Sequence, residues 1–206
     1  MPQNTKADIL TSAKQEFLDK GFAKASLRTI ASKAGVTTGA LYRHFKDKDE
    51  LFSQLVDSTY QQTKLFLSDY DFDQYVQEKS ELFYENQIFN TFFNFLYENF
   101  DSYILLLEKA EGSKYSDVIN EFSNIYTSSC TKILSLSAKI ESNPADLFTV
   151  HVITNSFITS MAEIIHHRIP REQTKVFMEN IHHFFHYGWK HLTEEHLSKS
   201  NNEERL

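Results

Sequence analysis

Apolar positions recur along this chain at spacings of three and four, the period of one face of an α-helix. Ile9, Ala13 and Phe17, with Leu10 beside them, predict a first helix over Thr5–Lys20. Thr5 and Asp8 suit its positive end, and Gly21 suits its stop. A second, short helix is predicted from the cap Ser26 to Ala34, with Leu27, Ile30, Ala31 and Ala34 on its buried face. Gly35 supplies a positive-φ stop, and Thr37 caps a third short helix, Thr38–Phe45. Only Gly35 and Val36 separate the second helix from the cap of the third, which is the spacing of a helix-turn-helix. A fourth helix begins at Asp47, has Glu50 at capping-box spacing, and runs through Leu51, Phe52, Leu55 and Val56 to Ser68.

Beyond a break at Asp69–Asp73 the period continues from Gln74 to Lys139, with interruptions expected near Asp101 and near Gly112 and Ser113. Glu141–Pro144 reads as a loop, because the residue before a proline is biased out of the helical region. Two long helices follow, 145–167 and 171–197. Leu147, Val150, Thr154, Phe157, Met161 and Ile164 stripe the first; Phe177, Ile181, Phe184, Gly188 and Leu192 stripe the second. Such stripes are too long and apolar to leave in water. Two copies of the chain would pack them as a four-helix bundle about a two-fold axis, with Phe157, Met161, Ile164, Phe177, Ile181 and Phe184 in the interface and Gly188 permitting close approach. The tail Ser198–Leu206 is polar and expected to fray. The expected fold is all-α: a three-helix head at residues 1–47 and a helical body at 48–206, with helix 48–68 as the link.

Composition agrees. Five glycines and three prolines are too few for the turns of a sandwich or barrel. The formal charge of −7 argues against a nucleic-acid partner until it is divided along the chain. Residues 1–56 hold 9 Lys/Arg and 6 Asp/Glu, a net +3; residues 57–206 hold 12 and 22, a net −10. A basic head on an acidic body fits DNA bound at one end only. The longest unbroken apolar run, Tyr103–Leu107, is far short of the ~20 residues that span a bilayer, and the polar start gives no signal peptide, so no membrane partner and a cytoplasmic protein are expected. The lone Cys130 reads as a small buried hydrophobe. No phosphate-cradling glycine loop, G-x-S-x-G or paired nucleophile and base is present, so neither an enzyme nor a cofactor is expected.

The segment Ser26–Leu51 resembles the signature of the TetR family of bacterial transcriptional regulators. Its elements are Ile30-Ala31, Ala34-Gly35-Val36, Leu41-Tyr42, His44-Phe45, Lys48 and Leu51, and the likeness runs without a gap from Ile9 to about Leu55. The resemblance implies a homodimeric repressor that grips a palindromic, double-stranded operator and is released by a small molecule. The residues suit that role. Small Gly39 and Ala40 let the third helix approach base edges in the major groove. Thr37, Thr38, Tyr42 and His44 offer hydroxyl or imidazole groups to phosphates, and Lys48 with the start of the fourth helix offers charge and N–H groups. Arg28 can reach a guanine O6/N7 edge, and Arg43 a phosphate or a base. Lys33 and Lys46 read as solvated. The resemblance also implies an effector cavity among the body helices. The aromatic load there, Phe66, Phe89, Phe93, Tyr103 and Tyr126 among it, would suit an apolar or aromatic ligand.

His182 and His186 stand at i, i+4, with His183 between them, a spacing that can hold zinc. No HExxH and no accompanying cysteine support it, and the expectation is no metal site. The competing reading of the chain is a small-molecule or metal-sensing binding protein whose head recognises no specific operator.

Overall fold

The computed structural model describes residues 5–68, 87–137 and 144–203; side chains at 87–89, 133–137, 144–145, 182, 186, 189–190 and 192–203 fall outside that description. The expected break at Asp69–Asp73, the helix start at Gln74 and the loop over 141–143 lie outside the described residues. All described elements are helices or turns. They are α1 (Thr5–Lys24), α2 (Leu27–Lys33), α3 (Thr38–His44), α4 (Lys48–Ser68), α5 (Gln87–Glu98), α6 (Phe100–Glu108), α7 (Val118–Ser137), α8 (Pro144–His166) and α9 (Arg171–Glu203). Two boundaries move. α1 runs four residues beyond the expected Lys20, across a kink at Gly21 (φ 73, ψ 163). α9 extends to Glu203, through the first part of the tail expected to fray. Pro144 opens α8, where a missing N–H costs nothing and the fixed φ already suits a helix.

The chain divides into two compact units, Met1–Thr63 with Glu98–Val118, and Lys64–Tyr97 with Ile119–Leu206. The first unit is larger than the head read from the sequence. Its centre is Ile9, Ala13, Phe17, Phe22, Ile30, Leu41, Phe45, Leu51, Phe52 and Val56, each no more than 5% exposed. Phe17, Phe22 and Phe52 meet with centroids 5.0–6.0 Å apart, two of the three contacts edge-on, as the ring quadrupoles prefer. α6 joins this unit through the buried Tyr103, Ile104, Leu105 and Leu106. Its polar edge is tied to the same elements. Lys14 pairs with Asp101 at 2.6 Å, Ser102 Oγ donates to the Leu55 carbonyl at 3.0 Å, and the Tyr103 hydroxyl meets Thr63 Oγ1 at 2.6 Å. The turn after α6 is fastened by the Phe22 N–H to the Lys109 carbonyl (2.7 Å) and by the Tyr115 hydroxyl to Asp57 (2.9 Å).

In the second unit α7 buries Phe122, Ser123, Tyr126 and Cys130, and α8 buries Val150, Thr154, Ile158, Ile164 and Ile165. Tyr126, Phe157 and Phe185 form a run of rings with centroids 5.4 and 5.3 Å apart. Phe66 meets Phe92 and Phe95 at 5.5 and 5.6 Å. At the start of α9 the Tyr97 hydroxyl donates to the Ile169 carbonyl and contacts Thr174, while Arg171 reaches Asn94. Residues 146–166 of α8 are, among the described residues, the only helix long and apolar enough to cross a membrane by length and composition.

Candidate nucleic-acid interface

The α2–α3 corner is built by capping. Ser26 is extended at φ −113, ψ 118, and its Oγ accepts the Thr29 N–H at 3.4 Å. Ala34 closes α2 on the Ile30 carbonyl, Gly35 takes φ 68, and the Val36 N–H returns to the Ala31 carbonyl at 2.9 Å. Thr37 Oγ1 then accepts the Ala40 N–H at 3.1 Å and starts α3. With the backbone groups of the corner satisfied internally, its side chains are free to face outward.

α3 has two sides. Leu41 and Phe45 are buried at 0% and 2%, one turn apart. Tyr42 (52% exposed), Arg43 and His44 face solvent. Thr37 and Gly39 are also exposed or nearly so at this corner, and Thr38 and Ala40 line it beside them. A Cβ on Gly39 would meet only Thr37 Oγ1, at 3.9 Å, so the fold itself has no need of a glycine there. Arg28 is exposed at the start of α2, one helix length before the corner. The sequence therefore sets Thr37, Thr38, Gly39, Ala40, Tyr42, Arg43 and His44 along the cap and body of α3, with Arg28 exposed at the start of α2.

Lys48 differs from expectation. It is half-buried, its Nζ lies 3.3 and 3.4 Å from the Ala23 and Ala25 carbonyls, and it sits 4.6 Å above the Phe22 ring. The expected free N–H groups at the start of α4 are also partly taken. Asp47 Oδ1 accepts the Glu50 N–H at 2.7 Å, and the Glu50 carboxylate accepts the Lys46 N–H at 2.7 Å. Two carboxylates at that terminus compete with any phosphate. Lys33, expected to be solvated, instead reaches Glu16 at 2.9 Å, a carboxylate with a side chain only 6% exposed. Sequence reasoning missed Glu16 because one acidic residue on a helix of mixed character gives no sign that it faces inward. Lys46 is solvated, its side chain 77% exposed.

The body residues fare less evenly. Phe66, Phe93 and Tyr126 lie in the second unit, half-buried, 9% and 7% exposed. Tyr103 packs within the first unit instead, its hydroxyl held by Thr63 and its pKa raised by burial. The Phe89 side chain lies outside the described residues. Of the expected interface residues, Ile164 is corrected: it is 0% exposed within a single chain. It shares a helix face with the buried Val150, Thr154 and Ile158, so this part of the stripe is turned to the chain's own core. Met161, Phe157, Phe177 and Ile181 are half-buried; Phe184 is 74% exposed, and Gly188 has open space at its Cβ. Exposed apolar residues that were missed are Phe148 and Val152 on the opposite face of α8, and Val176 and Tyr187 beside Phe184 on α9. The stripe read for α9 included Phe184 but not Val176 and Tyr187, which lie on the same side of the helix. Among the described residues no three His, Cys, Asp or Glu groups converge on one point; the His182 and His186 side chains lie outside them.

Residues 9–55 match the family model for "Bacterial regulatory proteins, tetR family". The chain is 44% identical over 59 residues to the HTH-type transcriptional regulator TtgR of Pseudomonas putida, covering 29% of this chain and 28% of that one. It is 49% identical over 53 residues to AcrR of Shigella flexneri (26% and 25%), and 44% over 52 residues to the repressor BepR of Brucella suis biovar 1 (25% of each). The chain thus spans little more than a quarter of the length of these relatives. Among solved structures, NalD, the secondary repressor of the MexAB-OprM multidrug efflux pump in Pseudomonas aeruginosa, aligns with TM-score 0.53 at 19% identity over 89% of this chain and 96% of that one. A transcriptional regulator from Aquifex aeolicus aligns with TM-score 0.54 at 18% identity over 92% and 99%. At such identity these likenesses establish the fold.

Proposed function

In its head this chain belongs to the TetR family of bacterial regulatory proteins, and from that premise we propose that it is a cytoplasmic, homodimeric repressor, released from a palindromic operator by a small molecule. The observation that carries the reading is the outward face of α3. Tyr42, Arg43 and His44 are exposed there while Leu41 and Phe45 anchor the helix from behind. One such helix per subunit would enter the major groove, the two spaced by one or more helical turns of about 34 Å each. Tyr42, His44, Thr37 and Thr38 serve phosphates, Arg28 and Arg43 serve a base edge or a phosphate, and Gly39 and Ala40 leave the backbone room to approach. Lys48 serves a phosphate by exchanging its carbonyl partners, or else acts on DNA by fixing the α1–α2 corner.

Dimerisation is supported by the exposed apolar residues Phe148, Val152, Val176, Phe184 and Tyr187, a surface that a second copy of the chain would cover. The outward apolar positions of α8 also account for its membrane-like composition without a membrane. The effector enters among the aromatic side chains of the body and acts through its differing affinity for two spacings of the heads. The relatives share mainly the head with this chain, so neither their effectors nor the genes they control transfer to it.

Footprinting of the purified protein on the DNA upstream of its own gene, at moderate salt, tests the reading. The expected result is a protected, two-fold symmetric site; no protection anywhere in that region sinks it. By reciprocity, a ligand that releases operator must bind the operator complex ~10–100-fold more weakly than the free protein, for a coupling of ~1–3 kcal/mol. Equal affinities in the two titrations would leave the ligand a passenger.

A further inference from the structure

Among the described residues, the buried side-chain hydroxyls of the second unit find partners, with one exception. Thr154 Oγ1 meets Thr127 Oγ1 at 2.6 Å and the Val150 carbonyl at 2.8 Å, and Thr174 meets Tyr97. Ser129, Ser156 and Ser160 each donate back to the carbonyl four residues earlier, the ordinary resort of a serine inside a helix. Ser123, on the inner face of α7 and 1% exposed, does neither; its Oγ is, among the described residues, the buried side-chain atom left without a hydrogen bond. An unpaired buried hydroxyl weakens the fold, and its persistence asks for a reason outside the folded chain.

The surroundings narrow the reason. Ser123, Tyr126 and Cys130 stand at i, i+3 and i+7, so one helix face carries a hydroxyl, a phenol and a thiol, the last two hydrogen-bonded to each other. Phe122 is buried beside them, and the Tyr126 ring continues into Phe157. No carboxylate, ammonium or guanidinium is buried among the described residues of this unit; the buried Glu16 belongs to the other unit. A charged molecule brought against this face would lose its water and meet no buried counter-charge among the described residues.

We propose that the inner face of α7 is the recognition surface for an uncharged, aromatic effector, with the Ser123 hydroxyl as its hydrogen-bonding anchor. This rests on the ligand-released repressor reading above and adds what that reading leaves open, the ligand's charge and its hydrogen-bonding anchor. Ser123 exchanges nothing within the protein when the ligand arrives, because its hydrogen bond is held in reserve.

Two fluorescent probes with one ring skeleton test it on the full-length protein: neutral N-phenyl-1-naphthylamine, which carries an N–H, and anionic 8-anilino-1-naphthalenesulfonate. The neutral probe should bind at least tenfold more tightly. Ser123→Ala should weaken it by about fivefold or more, the loss of one hydrogen bond, yet raise the thermal midpoint by about 2–4 °C by removing an orphan. Thr154→Val removes a paired hydroxyl; it should lower the midpoint and leave probe affinity within twofold. Equal probe binding by wild type and Ser123→Ala, equal binding of the two probes, or a lower midpoint for Ser123→Ala each overturns the proposal. Should Ser123→Ala fail to fold, Ser123→Cys, similar in shape and a poorer donor, is read the same way. Operator binding is measured on the same samples. Specific operator binding with no Ser123-dependent probe binding ends this inference alone. Ser123-dependent probe binding without operator binding ends the repressor reading and leaves the inference standing.

Discussion

Lys33 and Glu16 show how a single side chain can have a role in folding that resembles a surface role. Lys33 is half-exposed on α2, beside the face proposed for DNA, but its ammonium satisfies a carboxylate that is almost fully buried. Removing the lysine strands the carboxylate, and such breakage costs more than the pair itself contributes. Lys33→Ala should therefore destabilise the protein by about 1–2 kcal/mol, tempered by the solvent around Lys33. Chemical denaturation checks this, and the double variant with Glu16→Gln should recover part of the loss. Cys130 shows the same logic for protons. Burial pushes its thiol up to about 12, against a weaker downward pull from the Tyr126 hydroxyl. The fold favours the neutral thiol. That contribution is complete below the unfolded thiol's pKa and disappears as pH climbs from there toward 12. Stability should fall over that window, and an aromatic disulfide reagent at a pH of about 8 should leave Cys130 unmodified in the native protein and label it once urea unfolds the chain.

At the scale of elements, two glycines of the first unit have opposite meanings. Gly21 bends α1 with φ 73 and ψ 163, a conformation closed to other residues, although the space around its Cβ is ordinary, with the Lys109 carbonyl 3.7 Å away. Gly21→Ala should cost about 1–3 kcal/mol through backbone strain alone. Gly39 lies in regular helix with an open Cβ position. Gly39→Ala should stabilise the free protein by up to about 1 kcal/mol while weakening operator binding. A parallel loss of stability and of DNA affinity would show instead that Gly39 serves the fold. α4 is gripped more firmly at its start than at its end. Leu51, Phe52 and Val56 are fully buried, whereas Leu65 is 51% exposed and Phe66 is half-buried against Phe92 and Phe95.

For the whole molecule the question is what covers the outer faces of α8 and α9. Six large apolar residues, Leu147, Phe148, Val152, Val176, Phe184 and Tyr187, stand exposed on them in one chain, and leaving each in water forgoes ~1.5–3 kcal/mol of burial. Phe184, the most exposed, is the sharpest probe. Phe184→Glu should shift sedimentation equilibrium from dimer to monomer and abolish binding to a palindromic operator, since one α3 per molecule reads only a half-site. The wild-type thermal midpoint should rise with protein concentration, and that of the variant should not. A variant that remains dimeric would place the interface on other helices.

What the sequence determined by itself was local. The caps Ser26, Thr37 and Asp47, the positive-φ Gly35 and the i, i+4 pair Leu41 and Phe45 fix α2, the turn and α3, because caps, turns and helix faces depend on neighbours within four residues. Most helix limits followed for the same reason. Tertiary structure alone decided which of two apolar faces on α8 and α9 turns inward, since helical period locates a stripe but not its partner. It decided that α6 and Tyr103 pack within the unit that contains α1 to α3, a matter of contacts between residues far apart in the chain, as Lys14 is from Asp101. It also decided that the charges of Lys33 and Lys48 are spent on a buried carboxylate and on carbonyl oxygens rather than left to solvent, and that the hydroxyl of Ser123 is left unpaired. A cation's or a hydroxyl's partner is chosen by distance in space, which the order of residues in a chain does not state.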